Sequence, residues 1–435
     1  MAKEIKPIIN SILNDDQYKL TMLCAVLTCF PRAKVRCKFV DRSNRVYPKG
    51  FAEQLRRQID MLADLTITDE EIAFLMHKCY YLPVWFYTFL RGFRLDPSVV
   101  KVEQDEDGHL SISYEGYWWK VIMFEVKILA IVSELYYIMT GVAEKFDQDR
   151  YFKHTYDKAV RLLTHDCCVS EFGTRRRSSF ETQETVIKAF LKAREDNPLA
   201  GGKFAGTSNM YLAMKYDLTP IGTMAHEWVS SIAAFYGPKE ANNIAMEMWQ
   251  KTFGGSLGTY LYDTFGWEAF SNNFSEHYAR VFAGLRIDSG DNYEQYRLIC
   301  KKYEDLGVDP STKQLTFSNA LTTDSAIEIQ QSCHKFCIPQ FGIGTHLTND
   351  WSWLIKKTDL AKPMNIVIKV IAAAITEKRE MSDTCKMSMD PGKYTGKPSC
   401  VLRFKQELGH PISEELFLAA AEDYGFDIGL VPCAG

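Results

Sequence analysis

The sequence predicts an α/β protein: an N-terminal α+β domain over residues 1–150, an α/β barrel over 151–376, and a C-terminal extension over 377–435 that packs on the other two. Three observations carry this. Up to about residue 150 the order of elements is α+β. After Tyr151 short apolar runs alternate with helical stretches, and each run ends in glycine, serine, threonine or a charged residue. Repeated strand-loop-helix units imply a parallel sheet, and their number favours a barrel over an open sheet. Third, 435 residues that are 46% hydrophobic and 13% aromatic have the apolar material for a large core.

The elements follow in order. Asn14-Asp15-Asp16 reads as a cap, and the residues from Tyr18 onward carry apolar side chains at helical intervals. Val35 to Val40 alternates like a strand, whereas Phe51 to Leu62 and Asp69 to Lys78 read as helices. Lys101 to Tyr117 reads as a hairpin about Asp107-Gly108. Val121 to Gly141 is the longest apolar stretch, but Glu125, Lys127 and Glu134 interrupt it, so it reads as buried strand and helix and not as a membrane span. In the second half, strand ends fall at Val169 to Gly173, Phe204 to Asn209, Leu218 to Gly222, Ala283 to Asp291, Leu315 to Asn319 and Gln340 to Thr345. A helix is expected from about Ser178 to Ala193, and another from Ala225. Asn365 to Val370 reads as a fully buried strand closing the series. Beyond residue 376 the chain is richer in charge and turns, notably Asp390-Pro391-Gly392-Lys393, with a last helix near Ser413 to Asp423 and an apolar tail.

Composition narrows the function. The net charge is −4 from 51 basic and 55 acidic residues, which leaves no electrostatic footprint for a nucleic acid. An anionic ligand must then be held by local clusters. The N-terminus lacks the apolar core and small-residue cleavage site of a secretory signal, so a cytoplasmic, nuclear-accessible protein is expected. Twelve cysteines without a CxxC pair fit reduced thiols. Cys333, His334 and Cys337 have no second ligand pair at finger spacing, so no zinc site is expected.

Several clusters carry chemistry. Pro220 and Gly222 punctuate an apolar run, and the helix expected from Ala225 puts His226 where strand gives way to helix, at the end of the sheet where ligands gather. A lone histidine is more often a structural core residue; its company decides. Arg175, Arg176 and Arg177 follow a strand end next to a helix start whose free amides also favour anions, although a solvated charge run looks the same. Phe172, two residues before Thr174, offers a face to a flat ring or to the core. On the strand Arg286-Ile287-Asp288, alternation puts Arg286 and Asp288 on one side, as an anion fork beside a carboxylate or as a simple salt bridge. Asp288 and Asp291 are candidate Mg²⁺ ligands, since magnesium takes one or two carboxylates plus phosphate oxygens. Phe341-Gly342-Ile343-Gly344-Thr345 offers unobstructed amides and a hydroxyl for a monophosphate. A hydrolytic metal barrel would want several histidines or carboxylates at strand ends, and the nine histidines of this chain show no such pattern.

Taken jointly, Asp16-Gln17-Tyr18-Lys19-Leu20-Thr21-Met22, Glu171 to Arg177, Gly206-Thr207-Ser208-Asn209, Gly222 to Trp228, Arg286 to Asp291 and Phe341 to Thr345 resemble the nicotinate phosphoribosyltransferase family, closest to its fungal members, over nearly the whole chain. The resemblance implies a type II phosphoribosyltransferase fold, an irregular α/β barrel beside an N-terminal α+β domain. It implies ATP-coupled synthesis of nicotinate mononucleotide from nicotinate and phosphoribosyl pyrophosphate in NAD salvage, with Mg²⁺ and a homodimer sharing its active sites. Carried over by motif, His226 is the histidine that ATP phosphorylates, and Thr223 lies beside it. Tyr18, from the partner subunit, and Phe172 enclose the pyridine ring; Arg286 belongs to the nicotinate site. Gly344 and Thr345 hold the 5-phosphate, and Arg175 lies near the phosphates. Thr207 and Ser208 fall in the substrate site, and related nicotinamide-specific enzymes carry aspartate at the position of Ser208. Asn319 departs from the family's usual aspartate, and Asn292 from its usual proline. Rival readings are a phosphoribosyltransferase for nicotinamide and a catalytically weakened sensor.

Overall fold

The computed structural model describes residues 5–351, 353–354, 362–387 and 394–423. The N-terminal sheet has five antiparallel strands. β1 (Lys34–Asp41), β2 (Val100–Gln104) and β3 (Leu110–Tyr117) come from the first part of the chain, and β2 and β3 form the expected hairpin, closing at Gln104 and Leu110. The alternation read in Val35 to Val40 is real: Val35, Cys37 and Phe39 are buried and their neighbours are not.

The second sheet has six parallel strands: β4 (Cys168–Glu171), β5 (Lys203–Thr207), β6 (Thr259–Leu261), β7 (Gly284–Ile287), β8 (Gln314–Phe317) and β9 (Ile338–Ile343). Their spatial order is β5-β4-β9-β8-β7-β6. The last strand therefore lies beside the first, which a barrel requires and a doubly wound open sheet does not. Beyond β5 a parallel bridge between Thr207 and Pro220 carries the ring on to the segment before His226.

Two expectations are corrected. The stretch from Asn365 to Val370 is not a barrel strand: β10 (Ile366–Ala374) returns to the N-terminal sheet and pairs antiparallel with β1 along its whole length, Lys34 opposite Ala374 and Asp41 opposite Ile366. Its run of apolar residues resembled a strand covered on both faces. In fact Ile366, Ile368 and Val370 are buried while Val367 and Lys369 turn towards a cavity. A boundary at residue 376 thus cuts across the first sheet's pairing. Nor does Val121 to Gly141 contain a strand, for it is helical at Trp118–Val121 and Phe124–Met139. That helix is apolar around its circumference because it is buried on all sides. Its charges are paired inside the protein, Lys127 with Asp15 at 2.5 Å and Glu125 with Lys19 at 2.5 Å.

After β10 come β11 (Ser382–Asp383), which extends the first sheet, and the short pair β12 (Lys386–Met387) and β13 (Tyr394–Thr395). The helices Pro398–Leu408 and Glu414–Asp423 follow. This extension is tied to the barrel by Thr384 Oγ1 donating to the Ser230 carbonyl at 2.6 Å and the Met387 amide to that of Thr264 at 2.9 Å. The turn at Asp390 to Lys393 and the apolar tail lie outside the described residues. Among the described residues no helix is long and apolar enough to cross a membrane, and the eleven cysteines that fall within them are all free.

Candidate active site

A cavity of about 990 Å³ opens between the carboxyl ends of the barrel strands and the half-buried face of β10. The strands put the chemistry there by simple alternation. On β7, Leu285 and Ile287 are buried in the barrel, so Arg286 and then Asp288 point to the cavity. They also bond each other: Arg286 Nη2 donates to Asp288 Oδ1 at 2.9 Å, and Ser318 Oγ, which accepts from Arg286 Nε at 2.8 Å, donates to the same oxygen at 2.6 Å. The two readings of this pair are both realised, a salt bridge that lines a site. Burial opposes ionisation of Asp288, but Arg286, His226 and Lys386 outweigh it and hold the carboxyl well below its usual range.

The aromatic wall is Phe172, just after β4. Its ring lies with the Arg286 guanidinium 5.6 Å from its centroid. The ring has room only because residue 342 is glycine, where a Cβ would come within 2.4 Å of two ring carbons. Tyr18 lines the same cavity, and its buried hydroxyl has no hydrogen-bond partner. Gly344 and Thr345 lie at the end of β9 on the cavity wall, as expected of the glycine loop.

His226 begins the helix His226–Tyr236, with Ala225 at its cap. The ring is buried but lines the cavity. Lys386 Nζ lies 2.7 Å from Nε2 and Thr264 Oγ1 lies 3.0 Å from Nδ1. An ammonium only donates, so in this shorter contact Nε2 is the acceptor and the ring proton sits on Nδ1, facing the threonine; the Asp288 carboxylate, which only accepts, pulls towards the opposite tautomer. Asp288 Oδ2 is 3.2 Å and Asp263 Oδ1 4.0 Å from Nε2. Burial first, then the charge of Lys386, lowers the imidazole to about 4 against the pull of both aspartates. The ring is therefore neutral near pH 7, with a lone pair at the cavity.

The arginine triplet divides. Arg175 and Arg176 face the cavity from the 3-10 turn Thr174–Arg176. Arg177 is wholly buried, donating to Asn14 Oδ1 at 2.9 Å and Gln183 Oε1 at 3.0 Å. The helix start after the triplet does not serve a ligand either. The Phe180 amide donates to Glu134 Oε2 at 3.0 Å and the Ser179 hydroxyl caps the Thr182 amide, so the protein supplies its own acceptors.

Four expected substrate or metal residues are not on the cavity wall among the described residues. Thr207 is buried with its hydroxyl on Glu171 Oε2 at 2.6 Å. Ser208 donates to Asp16 Oδ1 at 2.6 Å. The hydroxyl of Thr223 turns to its neighbour's carbonyl, Met224, at 3.3 Å. Asp291 is exposed and caps the helix Asn292–Asp305, accepting from the amides of Tyr293 and Glu294 at 2.9 Å each. A DSGD sequence puts its second carboxylate one turn too late to share the site with the first. Tyr18, expected from a partner subunit, lines the cavity of its own chain here. The segment before it lies along the barrel rim, with the Gln17 amide on the Ser208 carbonyl at 2.8 Å and the Met210 amide on that of Asp15 at 3.0 Å. At Gly222 a Cβ would meet Gln17 Oε1 at 2.2 Å, so that glycine is what admits this close approach.

Three residues were missed: Asp263 after β6, Lys369 on β10 and Lys386 on β12. Burial, then Arg175 and Lys386, push the Lys369 amine down to about 8 against Glu125. Nothing local in the sequence marks these residues, though a carboxylate directly after a strand, as in Tyr262-Asp263, was a signal to be had. Among the described residues no three histidine, cysteine or acidic side chains cluster as a metal cage. Asp288, with the buried and unpartnered Oδ1 of Asp263, does fit the one or two carboxylates that magnesium takes beside phosphate oxygens.

Cations outnumber carboxyls here: Arg42, Arg175, Arg176, Arg286, Lys369 and Lys386 face Asp288 and Asp350. A barrel rim so charged, with a stacking ring and a neutral imidazole, is that of an enzyme of phosphorylated small molecules. Comparison with known proteins makes this specific. The model of the nicotinate phosphoribosyltransferase family matches residues 167–412, and that of the family's N-terminal domain residues 13–133. A probable nicotinate phosphoribosyltransferase of Schizosaccharomyces pombe is 40% identical over 94% of this chain and all of its own. The solved nicotinate phosphoribosyltransferase of Porphyromonas gingivalis is 38% identical with a TM-score of 0.86, covering 92% of this chain and 100% of that one. A putative one from Saccharomyces cerevisiae is 33% identical with a TM-score of 0.87, over 94% and 100%. The chain belongs to the nicotinate phosphoribosyltransferase family.

Proposed function

We propose that this chain transfers phosphoribose from phosphoribosyl pyrophosphate to nicotinate, coupled to ATP through a phosphohistidine at His226, and so serves NAD salvage. The observation that carries the reading is the neutral His226 with its Nε2 at a cavity ringed by cations. Nicotinate lies against Phe172, its carboxylate towards Arg286, with Tyr18 on the other side. The pyrophosphate takes Arg175, Arg176 and Lys369, and the 5-phosphate takes Gly344 and Thr345. Asp288 and Asp263 would hold Mg²⁺ together with phosphate oxygens; the ion supplies charge neutralisation for the leaving pyrophosphate. Asp288 keeps Arg286 oriented in either case. The close fit of the residues 13–17 segment on the rim argues against Tyr18 crossing to a partner, so a homodimer, if formed, need not share its sites.

Asn319 favours the sensor as the alternative. It lines the cavity but spends its amide on the Gly290 carbonyl at 3.0 Å, and it has no charge to share with a cation. The test is steady-state turnover of nicotinate with phosphoribosyl pyrophosphate, with and without ATP, alongside exposure to γ-labelled ATP. Turnover stimulated by ATP and acid-labile label on wild type but not on His226→Ala are expected. Saturable binding without turnover would establish the sensor, and equal label on both proteins would remove the phosphohistidine.

A further inference from the structure

Lys386 lies outside the barrel strands, on β12 of the C-terminal extension, yet its Nζ reaches the one imidazole on which the chemistry turns. It sits 2.7 Å from His226 Nε2 and 4.0 Å from Asp263 Oδ2, with only a small part of its side chain exposed. Asp263 Oδ1, buried and without a hydrogen-bond partner, faces the same nitrogen at 4.0 Å. The extension is held there by backbone, since the amide of Met387, next in sequence, donates to the carbonyl of Thr264, whose hydroxyl meets the other ring nitrogen. One loop and one strand thus clamp the ring from both nitrogens.

We propose that Lys386 is a positioning residue for the phosphoryl step: it fixes His226 in the Nδ1–H form before attack and then pairs with the phosphoryl group that the ring receives. This rests on the phosphohistidine reading above and goes beyond it. In the step, the Nε2 lone pair forms a bond to the γ-phosphorus of ATP, and the bond from that phosphorus to the β,γ-bridging oxygen breaks, its electron pair leaving with ADP. The ring keeps its Nδ1 proton on Thr264 and carries the positive charge. Lys386 gives up the nitrogen it had been bonding and moves onto a phosphoryl oxygen, exchanging one acceptor for a charged one. Asp263, beside both groups, offsets the added cation.

The test compares wild type, Lys386→Met and Lys386→Arg in three measurements: the initial rate of acid-labile labelling from γ-labelled ATP, the rate at which isolated labelled enzyme loses its label, and the tautomer of His226 by ¹⁵N-histidine NMR. Losing a charge-assisted hydrogen bond predicts labelling slowed about tenfold to a hundredfold in Lys386→Met. Faster loss of label and a ring no longer confined to the Nδ1–H form are expected alongside. Lys386→Arg, which keeps a donor, recovers a large part of each, which distinguishes positioning from damage to the fold. If wild type takes label and Lys386→Met labels and loses label at the same rates, the proposal is overturned. If wild type takes no label but the tautomer shifts in Lys386→Met alone, the lysine's hold on the ring stands and the phosphohistidine reading falls. An unchanged tautomer in Lys386→Met overturns the positioning itself.

Discussion

Phe172 and Gly342 form a pair in which one residue's absence of side chain makes the other's position available. A methyl at residue 342 would stand 2.4 Å from the Phe172 ring carbons, so the ring must move off the Arg286 guanidinium. A stacked ring and its cation are worth about 1 to 2 kcal/mol together. Gly342→Ala and Phe172→Leu are therefore both expected to raise the KM for nicotinate about tenfold with a smaller change in kcat; a Gly342→Ala enzyme with wild-type KM would remove Phe172 as the ring's platform. Lys369 makes a different prediction. Its amine is held down to about 8, chiefly by burial, so it is charged below that pH and neutral above it. A phosphate favours the charged form. Affinity for phosphoribosyl pyrophosphate should fall as pH rises through 8 with proton uptake on binding, and Lys369→Gln should bind more weakly at pH 7 and lose that dependence, as calorimetry in two buffers of different ionisation enthalpy would show.

Elements are tied to one another at their ends, and this is where sequence patterns said least. The helix Thr323–Cys333 starts with the Thr323 amide and hydroxyl both on His346 Nε2, at 3.1 and 3.0 Å, so the short helix Thr345–Thr348 after β9 adds to the Thr322 cap of the helix after β8. The amide needs a neutral ring, and burial, then Lys158, holds His346 down to about 4 from 6.5. A histidine depressed in the fold takes up its proton more readily unfolded, so its stabilisation is complete above 6.5 and is lost as pH falls towards 4. His346→Gln should therefore lose less stability between pH 7 and pH 5 than wild type, by about 2 kcal/mol, in melts at the two pH values. Periodicity made the helices at Phe51, Asp69 and Phe180 legible, and β1 and the hairpin with them, because each buries one face or one stripe. It could not show that the amides at Phe180 were already spent on Glu134, or that Ser208 faced Asp16, since those partners lie 46 and 192 residues away. The same blindness hid Asp263 and Lys386. Ser208→Asp, expected from the resemblance to favour nicotinamide, would place a second carboxylate against buried Asp16. We expect a loss of about 2 kcal/mol in stability by thermal or urea unfolding rather than a clean exchange of substrate.

At the scale of the whole molecule, the chain closes on itself twice. β10 leaves the barrel to pair with β1, and the segment before Tyr18 leaves the first domain to lie along the barrel rim. The cavity therefore has walls from both domains of one chain, with Tyr18, Arg42 and Lys369 on one side and His226 and Arg286 on the other. An enzyme whose copies exchanged Tyr18 would behave differently when mutants are mixed. With shared sites, combining Tyr18→Ala and His226→Ala, each inactive or nearly so, would restore up to about a quarter of wild-type turnover, since random pairing makes one site in four whole. With the site closed within the chain, every molecule carries one defect and mixing restores nothing. We expect the second result when the two variants are co-expressed and assayed together, with label from γ-labelled ATP appearing only on the Tyr18→Ala chains. Recovery of turnover would show that the rim segment crosses between copies, and the contacts Gly222 permits would then have to form between subunits rather than within one.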